Sequence, residues 1–414
     1  MRSCEPATTT KVPATQRLLT INTGSSSLKA AVYDVDDDGC HRRFAIAAQR
    51  IGSSGSHLQV VDAAGATVVD QDGDLPTHDA TIATVLRFVR GTEGGAGLAA
   101  VGHRLVHGGS QYSAPQRVTD DLLAALRGLI PIDPEHLPQA LAAIDAVRRV
   151  YPSLAQVACF DTAFHRRMSQ VAQRYPLPRA LAAAGIVRYG FHGLSYESIM
   201  GQLRAVDPAA ADGRVVIAHL GNGASMAAVR GGSGLETTMG FTPTGGLMMG
   251  TRTGDLDPGV LLYLLEVMHL SAADVGTLVT QRSGLLGVSG STGDMQELLA
   301  REPEDQDAAT AVELFCYQAR KSLGALAAVL GGLETLVFTG GIGEHASPVR
   351  ERICEGLGFL GVLVDPSQNA AHAPVISAAS SRVTVRVMET DEDLMIARHT
   401  VRVIRDEGAP RVSV

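Results

Sequence analysis

Short apolar runs alternate along the chain with longer stretches in which apolar positions recur at helical spacing. Residues 17–23 form a β-rich run, then come Gly24 and three serines, then the apolar run Leu28–Val35. That pattern predicts a β-hairpin. It returns in the second half, where residues 215–220 are followed by Gly221, Asn222 and Gly223 and then by the β-rich run 224–229. Laying Gly24 on Gly221 brings Ala30, Ala31 and Val32 onto Ala227, Ala228 and Val229. This reads as a weak internal duplication with one phosphate-facing hairpin in each half, although two ordinary hairpins give the same pattern. Helical spacing marks Leu137–Val150, 260–269 and 307–330. The last opens near Asp307, carries Arg320 and Lys321, and stops at Gly331 and Gly332. Residues 336–339 read as a buried strand. Strands alternating with helices predict an α/β chain. Residues 163–178 lack strong periodicity and are expected to carry the first crossing between domains.

A chain of 414 residues is long enough for two domains, each with a core. With 45% hydrophobic and 19% charged residues the composition is that of a soluble globular protein. Trp is absent and aromatics are 4%, so the core must be aliphatic. A net charge of -8 gives no pointer to nucleic acid or an anionic membrane surface. The five cysteines, Cys4, Cys40, Cys159, Cys316 and Cys354, form no C-x-x-C pair, which argues against thiolate metal sites and suits a reducing cytoplasm. No apolar run is long enough to span a bilayer. Residues 1–16 are polar, broken by Pro6 and Pro13, and lack the apolar core of a secretory signal; a disordered tail is expected.

Several motifs carry candidate chemistry. Asn22, Gly24, Ser25, Ser26, Ser27 and Lys29 lie in the first hairpin turn. Backbone N–H groups and hydroxyls there can hold phosphate oxygens, Lys29 adds a cation, and Asn22 offers an oxygen towards magnesium. The spacing is not that of a Walker A loop. In His103-Arg104-Leu105-Val106-His107-Gly108-Gly109 a guanidinium can hold a carboxylate or phosphate bidentately. A surface salt bridge is the bland alternative for Arg104, and both histidines read as satisfied core groups. Asp161 ends an apolar run, so it is either a site at a strand terminus or a helix N-cap. In Arg188-Tyr189-Gly190-Phe191-His192-Gly193, glycines leave room for a ligand against His192, which could donate to a phosphoryl group. Arg252, bracketed by Gly250 and Gly254, needs an anion to offset its desolvation. Gly340-Gly341-Ile342-Gly343-Glu344-His345-Ala346 superficially matches a dinucleotide fingerprint, but we read it as a loop around an adenosine. Residues 389–393 are an acidic cluster, either a solvated helix start or an indirect contact to magnesium through its bound water.

In this order the motifs resemble the acetokinase family: acetate, propionate and butyrate kinases of the actin-like ATPase superfamily. The matching stretches span almost everything after residue 16. The resemblance implies a two-domain actin-like ATPase (ribonuclease H-like) fold with a duplicated core and the active site in the interdomain cleft. Its expected parts are an N-terminal, carboxylate-side domain at 17–163 plus 393–414, and a nucleotide-binding domain at 164–392. It also implies a homodimer, ATP as co-substrate, Mg2+ or Mn2+, and a short carboxylate, acetate first, as acceptor; nucleic acid and membrane are not expected partners. Carried over by position, Asn22 and Glu392 look like metal-site residues. Lys29, His219, Leu220, Gly221, Asn222, Gly223, Asp294, Met295, Gln296, Gly341, Ile342, Gly343, Glu344 and His345 look like the ATP site. Arg104 looks like the carboxylate ligand, Asp161 the essential acid, and His192 and Arg252 the transition-state stabilisers; Val106, Phe191 and Pro243 look like the wall around the methyl group.

The chain departs from the family pattern at several points. Where the family has Pro-Leu-His-Asn-Pro it reads Pro131-Ile132-Asp133-Pro134-Glu135-His136-Leu137-Pro138, and a small insertion is needed to align His136. Leu194, Ser195 and Tyr196 replace Thr-Ser-His, Gln296 replaces Arg, His345 replaces Asn, and Asp393 replaces Glu. A carboxylate acceptor is already ionised near neutrality, so Asp161 has no proton to remove. It is expected to organise magnesium and an arginine instead. Three competing readings remain: a propionate or butyrate kinase, a chaperone or filament ATPase on the same fold, and a dinucleotide-dependent oxidoreductase.

Overall fold

The computed structural model describes residues 16–24, 26–73, 75–91 and 97–408. Residues 1–15, nearly all of the expected disordered tail, and Ser25 of the first turn lie outside the described residues.

Two mixed sheets form the frame. The first contains β1 (Gln16–Thr23), β2 (Leu28–Val35), β3 (Cys40–Gln49), β4 (His57–Asp62), β5 (Thr67–Asp72), β6 (Leu98–Leu105), β7 (Gln116–Arg117) and β8 (Ala155–Phe160), in the order β5-β4-β3-β2-β1-β6-β8-β7. The second contains β9 (Arg214–Leu220), β10 (Ala224–Arg230), β11 (Ser233–Thr237), β12 (Thr335–Thr339) and β13 (Thr384–Val387), in the order β11-β10-β9-β12-β13. The core of each sheet repeats one plan. Three antiparallel strands, β1-β2-β3 or β9-β10-β11, continue on the far side of the first strand into two parallel ones, β6-β8 or β12-β13. The duplication is therefore real, but the overlay of residues is one position out. Ala30 faces Ile21, the counterpart of Ala218, whereas Ala227 faces Ile217. The physical reason is turn length: four residues join β1 to β2 and only three join β9 to β10.

Mostly aliphatic side chains fill both cores, although several of the few aromatics, Phe315 and Phe338 among them, are fully buried there too. Leu19, Ile21, Val32, Ile82, Leu86 and Val101 pack in the first. Val216, Met226, Phe315, Leu323 and Phe338 pack in the second, with the long helix Gln306–Leu330 laid across β10 and β9. Each such side chain contributes roughly 2 kcal/mol of burial. Asp305 caps that helix by accepting from the N–H groups of Asp307 and Ala308, and Gly331 ends it in the left-handed conformation, φ 70°. The helix expected at 260–269 runs Pro258–Glu266, and 163–178 holds only short helical turns. The final helix, Glu392–Gly408, returns to the first sheet, where Ile396 and Ala397 are fully buried. It lies so close to β6 that a Cβ at Gly102 would meet Thr400 and Ile396 side chains at 2.2 and 2.6 Å.

Candidate active site

Strand ends converge on one cleft. β1, β6 and β8 run parallel and side by side, so their carboxyl ends bring together Asn22, Arg104 and Asp161. Side chains at such ends face the crevice outside the sheet. Asp161 begins a short 3-10 helix, Asp161–Arg167, yet makes no capping bond there. Instead both of its oxygens are spent on Arg104. Arg104 Nε donates to Oδ1 and Oδ2 at 3.1 Å each, and Nη2 donates to Oδ2 at 2.6 Å. Of the two readings of Asp161, the strand-terminus one describes its geometry. Arg104 Nη1 donates to Asn22 Oδ1 at 3.0 Å, and Asn22 Nδ2 donates to Glu392 Oε2 at 3.1 Å. A guanidinium has five N–H groups, so two remain for a ligand. Burial works against the Arg104 charge, but Asp161 and Glu392 outweigh it and hold its pKa above the ordinary value. Burial pushes the Asp161 carboxyl above its ordinary range, and Arg104 opposes that with two N–H groups that make three contacts to its oxygens.

The second sheet supplies the facing wall. β9 ends in the turn of Gly221, Asn222 and Gly223, and the Met249–Arg252 loop docks on it: Gly250 N–H donates to the Asn222 carbonyl at 3.0 Å. A Cβ at Gly250 would sit 2.1 Å from Asn222 Oδ1, so a side chain there would have to displace the Asn222 amide. A Cβ at Gly223 would meet His192 Nε2 at 3.3 Å and Arg252 Nη1 at 3.8 Å, which places both groups at the turn. Arg252 Nη1 donates to the Pro243 carbonyl at 3.2 Å, and Nη2 faces His136 Nε2 at 3.3 Å. Glu135 stays 4.0 Å away. Burial lowers the pKa of Arg252, and Glu135 and Asp133 offset only part of this.

His192 caps the helix Gly193–Val206 with a left-handed backbone, φ 57°, unusual for a residue with a Cβ. Its Nδ1 is hydrogen-bonded to Ser225 Oγ at 2.8 Å, and Ser225 also bonds Tyr196. The His192 and His219 rings stack with centroids 4.3 Å apart, and Ser195 Oγ bonds His219 Nδ1 at 2.8 Å. Burial, then His219, Arg104 and Arg252, hold His192 well below the ordinary histidine range; burial brings His219 down to about 4. Both imidazoles are thus neutral at physiological pH.

The cleft beside this site has a volume of 1320 Å³ and is lined by Asn22, Lys29, His219, Gly221, Asn222, Asp294, Met295, Gln296, Gly341, Ile342, Glu344, His345, Glu392 and Asp393. Lys29 is exposed there, paired in register with Asn22 across the first hairpin. Leu220 and Gly343 are buried beneath it. Glu344 braces the cleft from within: its carboxylate accepts from Thr339 Oγ1 and from the N–H groups of Gly340 and Thr390. Asp294 caps the helix Met295–Arg301. Val106 and Phe191 share one apolar cluster, and Pro243 is buried close by at Arg252. His103 and His107 are core groups: His103 Nε2 bonds Gln156 at 2.7 Å, and His107 Nδ1 accepts from the Gly109 N–H at 2.8 Å.

Several residues that shape this site lie outside the motifs or carry no distinct sequence signal. Ser225 looks like any polar residue inside a β-rich run. Arg350, fully buried, donates to the carbonyls of Gly343 and Glu344 beneath the segment Gly340–His345. His136, which aligns with the family pattern only through a small insertion, sits on Arg252; its three-residue spacing from Asp133 is the available signal.

Twinned sheets with a cation, a glycine turn and neutral imidazoles meeting between their strand ends define a two-lobed, actin-like ATPase fold of the phosphotransferase kind. The profile of the acetokinase family matches residues 17–398, and the chain belongs to that family. It is 49% identical over 393 residues to an acetate kinase of Rhodopseudomonas palustris, covering 93% of this chain and 98% of that one. Among solved structures it resembles the acetate kinase of Porphyromonas gingivalis (TM-score 0.82, 36% identity, 94% and 100% of the two chains). It also resembles a propionate kinase from Francisella tularensis (TM-score 0.86, 30% identity, 93% and 98%). Among the described residues no helix is long and apolar enough to cross a membrane.

Proposed function

We propose that the chain reversibly transfers the γ-phosphoryl group of ATP directly to the carboxylate of acetate, giving acetyl phosphate. The observation that carries this is the pair of arginines on opposite walls, Arg104 bound to carboxylates and Arg252 to neutral groups. Arg104, fixed by Asp161, presents its two remaining N–H groups to the acceptor carboxylate and sets it in line, which supplies orientation. Asp161 acts through Arg104, since an ionised acceptor gives a base no proton to take. Arg252 meets charge developing on the equatorial oxygens, and His192 donates to them. Val106, Phe191 and Pro243 wall the acyl end. The ATP phosphates lie along the Gly221–Gly223 turn with Lys29 as a further cation, and the base lies near Gln296 and Gly341–His345.

Magnesium or manganese fits the acidic end of the cleft. Among the described residues no three His, Cys, Asp or Glu side chains form a metal cage, but Mg2+ is usually held by one or two carboxylates, waters and substrate phosphates. Glu392 lines the cleft, and beside it Asp393 Oδ1 is buried with no hydrogen-bond partner. These would hold the ion, with Asn22 orienting Glu392; bound there, it would neutralise phosphate charge.

The lobes are read as 17–163 with 393–408, and 164–392; residues 409–414, expected with the first lobe, lie outside the described residues. The exposed apolar helix Pro258–Glu266, with Leu262 and Tyr263 more than half exposed, supports a homodimer. A hydroxamate trap for acyl phosphate, run with ATP and acetate, propionate or butyrate, tests the function. We expect acetyl hydroxamate in excess. Excess propionyl or butyryl product would move the assignment to those acids, and no product from any acid would refute the kinase.

A further inference from the structure

We propose that Asp133 is a positioning residue for Arg252, acting through His136 from the opposite lobe. The inference rests on the reading of Arg252 as the group that meets the transferring phosphoryl. Asp133 and His136 lie just before the helix Leu137–Val150, on the lobe of the first sheet, while Arg252 belongs to the loop docked on the second. Asp133 is 1% exposed. Its Oδ1 lies 2.8 Å from His136 Nδ1.

The proton arrangement follows from donor counting. A guanidinium only donates, so His136 Nε2, 3.3 Å from Arg252 Nη2, must accept. The ring proton then sits on Nδ1 and is donated to Asp133. Without that carboxylate the imidazole is free to carry its proton on Nε2, where it would point an N–H at an N–H and turn Arg252 away. The second oxygen, Oδ2, is buried with no hydrogen-bond partner among the described residues, so the side chain is not committed to another network. Its charge acts on both guanidinium groups, favouring the charged form of each.

A second bond ties the same segment across the cleft. Gln281 Nε2 donates to Glu135 Oε1 at 2.9 Å. Arg252 is therefore aimed by groups from the other lobe and is fully aimed only when the lobes meet. Closure and assembly of the transition-state site become one event.

The test is a double-mutant cycle on the full-length enzyme, with kcat, both KM values and Tm measured. Asp133→Ala is expected to lower kcat roughly 10–100-fold, as loss of a carboxylate that orients a functional histidine does, with each KM moved less than about two-fold. In an Arg252→Ala background the same change should cost less than about two-fold more. Asp133→Asn, which keeps an acceptor oxygen for His136 Nδ1, should restore most of kcat. Losses that add fully across the cycle, a normal kcat in Asp133→Ala, or an Asn variant as poor as Ala would each overturn the proposal. If Asp133→Ala does not fold, His136→Ala completes the same cycle. An Arg252→Ala enzyme with normal turnover would instead remove the reading of Arg252, which separates the two failures.

Discussion

Two arginines face the same cleft in opposite company. Arg104, from the first lobe, is gripped along one edge by Asp161, lies 3.9 Å from Glu392, and has its pKa raised. Arg252, from the second, contacts a carbonyl, a thioether sulfur and an imidazole nitrogen, with its nearest carboxylate 4.0 Å away and its pKa lowered. A guanidinium already paired with a carboxylate has little net charge to offer; what it has is a fixed orientation. A buried one among neutral groups keeps most of its charge and gains most when an anion arrives. The first is suited to holding a substrate in place and the second to meeting charge as it develops. Two cations with equal surroundings would have done both jobs less well.

The largest expected effect breaks the second arginine. Arg252→Ala should lower kcat about 10³-fold, the scale of losing a charge-stabilising arginine in phosphoryl transfer, while the acetate KM moves little. Steady-state kinetics decide it: a loss confined to KM would make Arg252 a binding residue like Arg104. Next is Asp161→Asn. An amide cannot accept with both atoms, so Arg104 loses its anchor, and kcat/KM should fall about 100-fold with a raised acetate KM. Activity should not recover at alkaline pH. Recovery would restore Asp161 as a base, and a raised magnesium requirement at an unchanged acetate KM would assign it to the metal.

Much of this was legible because it is local. Hairpin turns, glycine-bracketed loops and the capped helix Gln306–Leu330 are each written within a few residues, so their positions could be read directly. The alternatives for Asp161 could not be closed from sequence, because an N-cap and a strand-end ligand look alike until Arg104, 57 positions earlier, is placed beside it. His136 meets Arg252 across 116 positions, and Ser225 meets His192 across 33. Such pairings depend on how the lobes sit together, which no spacing rule encodes. The duplicated hairpins show the same limit in miniature. Their existence was readable, but a one-residue difference in turn length, which sets the register, was hidden by matching alanines.

The contrast between the arginines has a smaller consequence for stability. Arg104 is neutralised by carboxylates, whereas Arg252 has uncharged imidazoles around it, and keeping buried imidazoles uncharged becomes costly in acid. His165 lies behind His192, with Nε2 donating to the Phe191 carbonyl at 2.9 Å, and burial brings its pKa down to about 4 from 6.5. Between those values the unfolded chain takes up a proton that the folded chain refuses. Folding stability from this group is therefore complete above about pH 6.5 and falls as the pH drops towards 4, with a total of the order of 3 kcal/mol. His103 and His219, also brought down to about 4 by burial, add slopes of the same sign. His165→Gln keeps a donor for the Phe191 carbonyl but has no proton to take up. Its Tm should lie below that of the parent at pH 7, and the gap should narrow or reverse at pH 5. A gap that stays constant from pH 7 to pH 5 would mean that His165 is not held uncharged in the fold, and the case for neutral imidazoles around Arg252 would weaken with it.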